Sequence, residues 1–191
     1  MKILVLNGSP RPNGNTAGMV KTFQQAAEEQ GHQVKVFSVC TMDIKGCLAC
    51  EYCHGKGHGQ CVQKDDMQEI YAELADTEMI VLATPIYYHG ISGQLKCVID
   101  RFYSSLYPNA PTTLKKVAMF LSSGDDNMYE GAKFSYDGDF LGHLGLEGMG
   151  IFTNHDRNVM ARIKDMASAL LILKVRIRTL ICKSGFIYPN L

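Results

Sequence analysis

Residues Met1–Thr16 read MKILVLNGSPRPNGNT, and the change of character inside this stretch decides the fold. Lys2 to Leu6 is a continuous apolar run that stops at Asn7-Gly8. A strand wetted on one face alternates apolar and polar residues, whereas a strand buried on both faces of a parallel sheet does not. From Thr16 the period changes. Met19, Val20, Phe23, Ala26 and Ala27 recur at three- and four-residue spacing, and Gly31 follows as a helix stop. A buried strand, a turn rich in Gly and Pro, and a helix make the opening half of a βαβ unit.

The same cycle recurs downstream. Val34–Phe37 reads as a second strand, and a polar, cysteine-rich loop then runs from about 41 to 64. Asp65 and Asp66 suit the start of a helix carrying Met67, Ile70, Tyr71 and Leu74. Met79–Ala83 is a third buried strand, ending at Thr84-Pro85. Ser92 suits the N-cap of a helix with Leu95, Val98, Ile99, Phe102 and Leu106 on one face. Lys116–Leu121 is a fourth strand, followed by the polar turn SSGDDN. The Gly-rich stretch 127–146 predicts an irregular lead-in and a helix near Ala132–Leu144. Met149–Thr153 is a fifth strand, and an amphipathic helix follows from Arg157 to about Lys174. Residues 175–191 carry no assignment. Alternation of this kind predicts an α/β fold: a doubly wound, five-stranded parallel sheet with helices on both faces. One domain is expected over 1–191, with the 41–64 loop inserted after the second strand. In such sheets ligands lie beyond the carboxyl ends of the strands, where the winding reverses. The loops Gly8–Asn15, Pro85–Gly93 and Ser122–Asn127 are therefore expected to carry the function.

With 19 Lys plus Arg against 19 Asp plus Glu, no overall field favours nucleic acid or an anionic membrane. The apolar run at the start is too short for a signal peptide, and no stretch approaches the ~20 apolar residues of a spanning helix. A cytoplasmic protein is expected. Its seven cysteines are unevenly spread: Cys47, Cys50, Cys53 and Cys61 crowd one loop, while Cys40, Cys97 and Cys182 stand alone. In a reducing compartment, such crowding points to metal binding or redox chemistry before structural disulfides.

The first loop, Gly8–Thr16, has neither the G-x-G-x-x-G turn of dinucleotide folds nor the G-K-[ST] end of a P-loop. It offers hydroxyls at Ser9 and Thr16, an amide at Asn15 and a cation at Arg11, with a helix start directly behind. Free backbone N–H groups and the helix dipole favour a compact anion there. Hydroxyl donors suit a terminal phosphate monoester better than an internal pyrophosphate. The plain alternative is an exposed turn capped by Asn15 or Thr16; the position after the first strand of a parallel sheet favours phosphate.

Three stretches together carry a family resemblance: GSPRPNGNT at 8–16, CLACEYC at 47–53, and PIYYHGISGQLK at 85–96 with Asp100-Arg101-Phe102 behind it. The chain resembles the NAD(P)H-dependent FMN reductases and iron–sulfur flavoproteins of the flavodoxin-like group, well over 1–121 and thinly beyond. The resemblance implies FMN as cofactor, NAD(P)H as co-substrate, and isoalloxazine wrapped by the Pro85–Gly93 loop. A flavin ring is a flat, partly apolar disc with polar edges, so its site wants aromatic walls and backbone donors. Tyr87 and Tyr88 supply aromatic surface, Pro85, Ile86 and the amides up to Gly90 line the edge, and Ser122 and Gly124 close the far side. His89 is either a contact to flavin or substrate or simply exposed. Asp100 and Arg101 are either a helix-surface or interface pair or a contact to the flavin. Hydride transfer through a flavin needs no enzymic acid, base or nucleophile, so no catalytic residue is expected.

Four thiolates at the spacing of Cys47, Cys50, Cys53 and Cys61 suit a 4Fe–4S cluster or a tetrahedral zinc, for which His54 and His58 are competing ligands. The resemblance points to all four cysteines as cluster ligands. Free thiols or a labile disulfide remain the other reading. Long, polar and rich in Gly, the loop has little apolar surface of its own and needs something to order it. Three functions follow. One is an FMN-dependent NAD(P)H oxidoreductase acting on a quinone, a nitro or azo compound, a metal or free flavin. The second is an iron–sulfur flavoprotein that carries electrons between redox proteins, and the third a sensing module. The resemblance also implies a homodimer or homotetramer.

Overall fold

The computed structural model describes residues 1–108 and 110–170. Strand β1 (Lys2–Asn7) leads through a turn into helix α1 (Asn15–Glu29), and β2 (Gln33–Ser38) follows. Next come α2 (Met67–Leu74), β3 (Met79–Tyr87), the two-residue β4 (Gly90–Ile91) and α3 (Gly93–Arg101). The chain continues with β5 (Lys116–Ser122), α4 (Glu130–Ser135), β6 (Glu147–Thr153) and helical residues 159–170, here α5. The strand order is β2-β1-β3-β5-β6, all parallel, with β4 antiparallel to β3.

Position in the sheet explains each strand's composition. β1, β3 and β5 are central and buried almost throughout, which is why their sequences run apolar without alternation. β2 lies at an edge and alternates exposed and half-buried residues up to Phe37. The core is split by the sheet. On one face Met19, Val20 and Phe23 of α1 and Val159, Ile163 and Met166 of α5 meet Ile3, Val5, Val81 and Phe120. The rings of Phe23 and Phe120 meet edge to face at 5.7 Å. On the other face α2, α3 and α4 cover Leu4, Leu6, Ile80, Leu82 and Met119. Because β1 has β2 on one side and β3 on the other, the winding reverses between β1 and β3, opening a crevice at their carboxyl ends.

The expected flavodoxin-like, doubly wound sheet is present, and its strand order is that of flavodoxin. One difference is the sixth strand. The Pro85–Gly93 loop doubles back, so that Ile86 and Tyr87 pair with Ile91 and Gly90. Caps follow the residues foreseen for them: the Ser92 side chain accepts from the Leu95 amide, and Gly31 takes φ +79° after α1. The helix expected near Ala132–Leu144 is α4 running into a wider π-helical stretch, Tyr136–His143, in which the Leu144 amide bonds the Asp139 carbonyl. Gly138 and Gly142 sit in that stretch and weaken the ordinary helix. The last helix begins at 159 rather than Arg157, since Asp156 accepts from the Asn158 amide just before it. Its expected end near Lys174, the tail 175–191 and Cys182 lie outside the described residues.

Candidate functional site

At the crevice, Ser9, Arg11, Asn15, Thr16, Pro85, Ile86, Tyr87, Ser122 and Gly124 line one cleft of about 190 Å³. Its floor is built by close approach of backbones. The Gly8 amide donates to the Ala83 carbonyl at 2.8 Å, and a Cβ on Gly8 would stand 2.5 Å from Ser92 Oγ. The Ser9 amide donates to Asn7 Oδ1 and the Arg11 amide to Ser9 Oγ, which holds the turn in shape. Thr16 Oγ1 lies 2.7 Å from Ser122 Oγ and ties the first loop to the third.

The N-cap of α1 is Gly14, with no side-chain cap and no acidic residue in the first turn. Neither Asn15 nor Thr16 caps the helix, so its first amides are left for something else. Fifteen residues of aligned peptide dipoles end at these donors, beside the exposed cation of Arg11. A phosphate fits this chemistry, and Tyr87 adds aromatic surface to the same cleft.

Tyr88, His89 and Gly90 do not line the cleft. Tyr88 and His89 are the two central residues of the β3–β4 turn, at φ +49° and +62°. Two positive φ values make a turn that normally takes Asn-Gly, so a bulky Tyr there carries strain. Gly131 of α4 helps hold it, because a Cβ there would come 2.3 Å from the His89 carbonyl oxygen. Tyr88 consequently projects wholly into solvent, and Phe134 on α4 is 81% exposed.

Asn154, just past β6, is a residue the sequence reading missed. Its Oδ1 accepts from the Ser123 amide and from the Tyr129 hydroxyl, and its Nδ2 donates to the Ser123 carbonyl. It thereby fixes the Ser122–Gly124 wall of the cleft. Burial and the nearby Asp126 charge push the Tyr129 hydroxyl up to about 12, so it remains a donor. The only available signal was a polar Asn at the carboxyl end of a strand.

The four clustered cysteines also come together. Cys47, Cys50, Cys53 and Cys61 all line one small cavity of about 20 Å³, with Arg101 in its wall. Among the described residues, however, no three His, Cys, Asp or Glu side chains stand close enough to hold a metal ion, and the six described cysteines are free. His54 takes a different role: its Nε2 lies 2.9 Å from the Tyr103 carbonyl and its ring packs on Tyr103 at 4.3 Å. Burial raises the Cys53 thiol above its ordinary value.

Hydrogen bonds from neighbouring elements hold both ends of this loop. Arg101 Nη1 donates to the Lys45 carbonyl at 2.9 Å and to Asp65 Oδ2 at 2.8 Å, and Nη2 donates to Asp65 Oδ1 at 3.0 Å. Gln63 Nε2 bonds the Gly46 carbonyl, and Gly57 lies against Tyr52 where no side chain fits. The Asp100-Arg101 pair therefore divides. Asp100 pairs with Lys96 on the surface, whereas Arg101 is 1% exposed and serves the cysteine loop, not a surface pair or the phosphate cleft. Burial works against its charge, but Asp65, Tyr71 and Cys61 outweigh it and raise the Arg101 pKa.

The profile of the NADPH-dependent FMN reductase family matches residues 1–135. An iron–sulfur flavoprotein of Methanocaldococcus jannaschii is 36% identical over 126 residues, covering 66% of this chain and 63% of that relative. The match thus spans less than two thirds of that relative's length. An FMN-dependent NADH-azoreductase of Bacillus anthracis, solved with FMN, superposes at TM-score 0.66 with 17% identity, over 89% of this chain and 99% of that one. An NAD(P)H:quinone oxidoreductase of Methanothermobacter marburgensis gives 0.63 with 15% identity, over 91% and 97%. At these identities the two structures share the fold with this chain.

Proposed function

The chain belongs to the NADPH-dependent FMN reductase family, and from that premise we propose that it holds FMN in the cleft between Ser9 and Gly124. There it acts as an NAD(P)H oxidoreductase on a small acceptor such as a quinone, a nitro or azo compound, a metal or free flavin. The observation that carries this reading is the uncapped N-terminus of α1, opening into a cleft lined by the three loops at the winding reversal. Bound FMN supplies a ring that takes a hydride and returns electrons in ones or twos.

The chain's own residues do the holding. Ser9, Thr16 and the first amides of α1 meet the phosphate, Arg11 adds charge, and Ser122–Gly124 face the polyol and ring across the cleft. Catalysis then amounts to positioning a nicotinamide against the open ring face, with no proton-transfer residue required. In the same reading the chain is one FMN-binding unit, cytoplasmic, and a homodimer or homotetramer joined through the exposed Tyr88 and Phe134 surface beside the cleft. FMN titration of the purified protein, followed by anaerobic NADH and NADPH oxidation, tests it. We expect FMN to bind well ahead of FAD, whose phosphates are internal; equal affinity for both, or no nicotinamide oxidation, would overturn the proposal.

A second reading is favoured by the shared cavity of Cys47, Cys50, Cys53 and Cys61. Thiols are the donor type a 4Fe–4S cluster takes, but as placed no three of these four stand close enough to hold a metal ion. The space fits only if the exposed Cys47 and Cys50 move outward, because about 20 Å³ holds little more than a water. A cluster there would relay single electrons between the flavin and a redox protein. Reconstitution with iron and sulfide under anaerobic conditions decides it: about four irons per chain are expected, and none if the thiols stay free.

A further inference from the structure

A second cavity, of about 480 Å³, opens between α3 and the π-helical stretch and shares no lining residue with the flavin cleft. Its volume is that of an ordinary small-molecule site. Ile99, Phe102, Leu106, Phe140 and Leu144 supply its apolar lining. Phe102, Leu106 and Phe140 are buried members of the core, so this lining is set by the packing of the fold. Beside it stands a row of rings: Tyr103 and Tyr107 stack at 5.1 Å, and Tyr107 and His143 at 5.6 Å. Phe140 and His143 come from the π-helical stretch, and Leu144 caps it. That conformation is rare and frequent at functional sites.

The charges around this cavity are unequal. Lys96, Glu51, Asp100 and Asp139 all line it, and Lys96 is taken by Asp100 in an ion pair. Glu51 accepts from the Tyr103 hydroxyl at 3.2 Å, and Asp139 from Ser135 Oγ at 2.8 Å. Among the described residues neither carboxylate meets a cation. An anion entering here would be repelled, and a purely apolar molecule would strip water from carboxylates and give them nothing in return. A cation on an apolar body meets both demands. We propose that this cavity binds a small organic cation, an ammonium carried on an aromatic or aliphatic body. The body packs against Phe102, Leu106 and Phe140, and the ammonium is held by Glu51 and Asp139. The site is separate from the flavin cleft and does not depend on what that cleft holds.

The test titrates the purified protein, with and without added FMN, by calorimetry with two probes of one body and opposite charge: phenylbutylammonium and phenylbutyrate. The ammonium is expected to bind and the carboxylate not, with the same affinity whether or not FMN was added. Glu51→Gln and Asp139→Asn should each weaken the ammonium about two- to fivefold, and the pair together about tenfold, while FMN affinity stays as in wild type. No ammonium binding at about 1 mM overturns the proposal. Equal binding of the two probes, displacement of the ammonium by FMN, or an unchanged affinity in the double variant does so too. Should the variants fail to fold, nuclear Overhauser effects from the probe's phenyl protons to the Ile99 and Leu144 methyl groups of wild-type protein give a second readout, and their absence defeats the proposal.

Discussion

In the proposed FMN site, Ser9 and Thr16 are the two hydroxyls that would meet the phosphate. Thr16 is fully buried and held by Ser122, and Ser9 is buried and held by the Arg11 amide, so neither must be ordered when an anion arrives. Charge-assisted bonds of this kind are worth roughly 1.5 kcal/mol or more each. The double variant Ser9→Ala, Thr16→Ala should thus weaken FMN by about 2–3 kcal/mol, a rise in Kd of roughly 30- to 150-fold. Equilibrium dialysis that finds the affinity unchanged removes these hydroxyls from the site. Both residues were legible as donors in the sequence, and the fold brings them to one cleft. Asn154 was not, because its partner Ser123 lies 31 residues away and no local pattern marks the pair.

Asp65 shows the same limit. In sequence it is a helix-start acid; in the fold it grips a buried arginine 36 residues away. Burial alone would raise its pKa, but the bonds from Arg101 and the Lys45 and Met67 amides outweigh this and hold it below the usual carboxylate range. A carboxyl group lowered in this way stabilises the fold above its unfolded pKa of about 3.9, and the contribution is lost as pH falls through the lower folded value. Denaturant unfolding from about pH 6 to about pH 2 should show this loss in wild-type protein. Asp65→Asn, already destabilised by roughly 3–5 kcal/mol at the upper end, should lose less across the same window. Parallel curves would show that the pair contributes no pH dependence.

Among the elements, α1 carries the strongest functional signature. An acidic residue in the first turn ordinarily stabilises a helix by about 0.3–1 kcal/mol, and this one has none. The variant Asn15→Asp should therefore raise the stability of FMN-free protein while weakening FMN by about tenfold, through repulsion of the phosphate. Opposite signs in the two measurements are the mark of an anion site; a gain in both would mean that no anion sits there. The β3–β4 turn makes the complementary point. Its sequence, Tyr-Tyr-His-Gly, has no Asn-Gly signal, and the tight turn exists because strand pairing and Gly131 of another helix force it.

For the whole molecule, the consequence of the winding is that residues 9–16, 85–87 and 122–124 meet on one rim while the cysteine loop lies against α3. Tyr88 and Phe134 stand exposed next to that rim, on elements joined by the close contact of Gly131 with His89. The proposed oligomer would cover these two exposed aromatic side chains. Light scattering at micromolar concentration should report a dimer or tetramer, and Tyr88→Glu with Phe134→Glu should reduce it to monomers with the fold intact. A wild-type monomer with FMN bound would contradict this. No helix among the described residues is long and apolar enough to cross a membrane.

The sequence by itself determined the parallel α/β architecture and the loops that end at the crevice, because both are written locally. Apolar runs without alternation mark strands buried on both faces, the 3.6-residue period marks the helices, and the Ser-, Thr-, Asn- and Arg-bearing turn lies between the first of each. Tertiary structure alone decided which of those residues share a cleft. It turned Tyr88 and His89 away from it, drew Asn154 into support of its wall, and set Arg101 between the two ends of the cysteine loop. Each of these depends on a partner tens of residues distant, through packing and hydrogen bonds that leave no periodic trace along the chain.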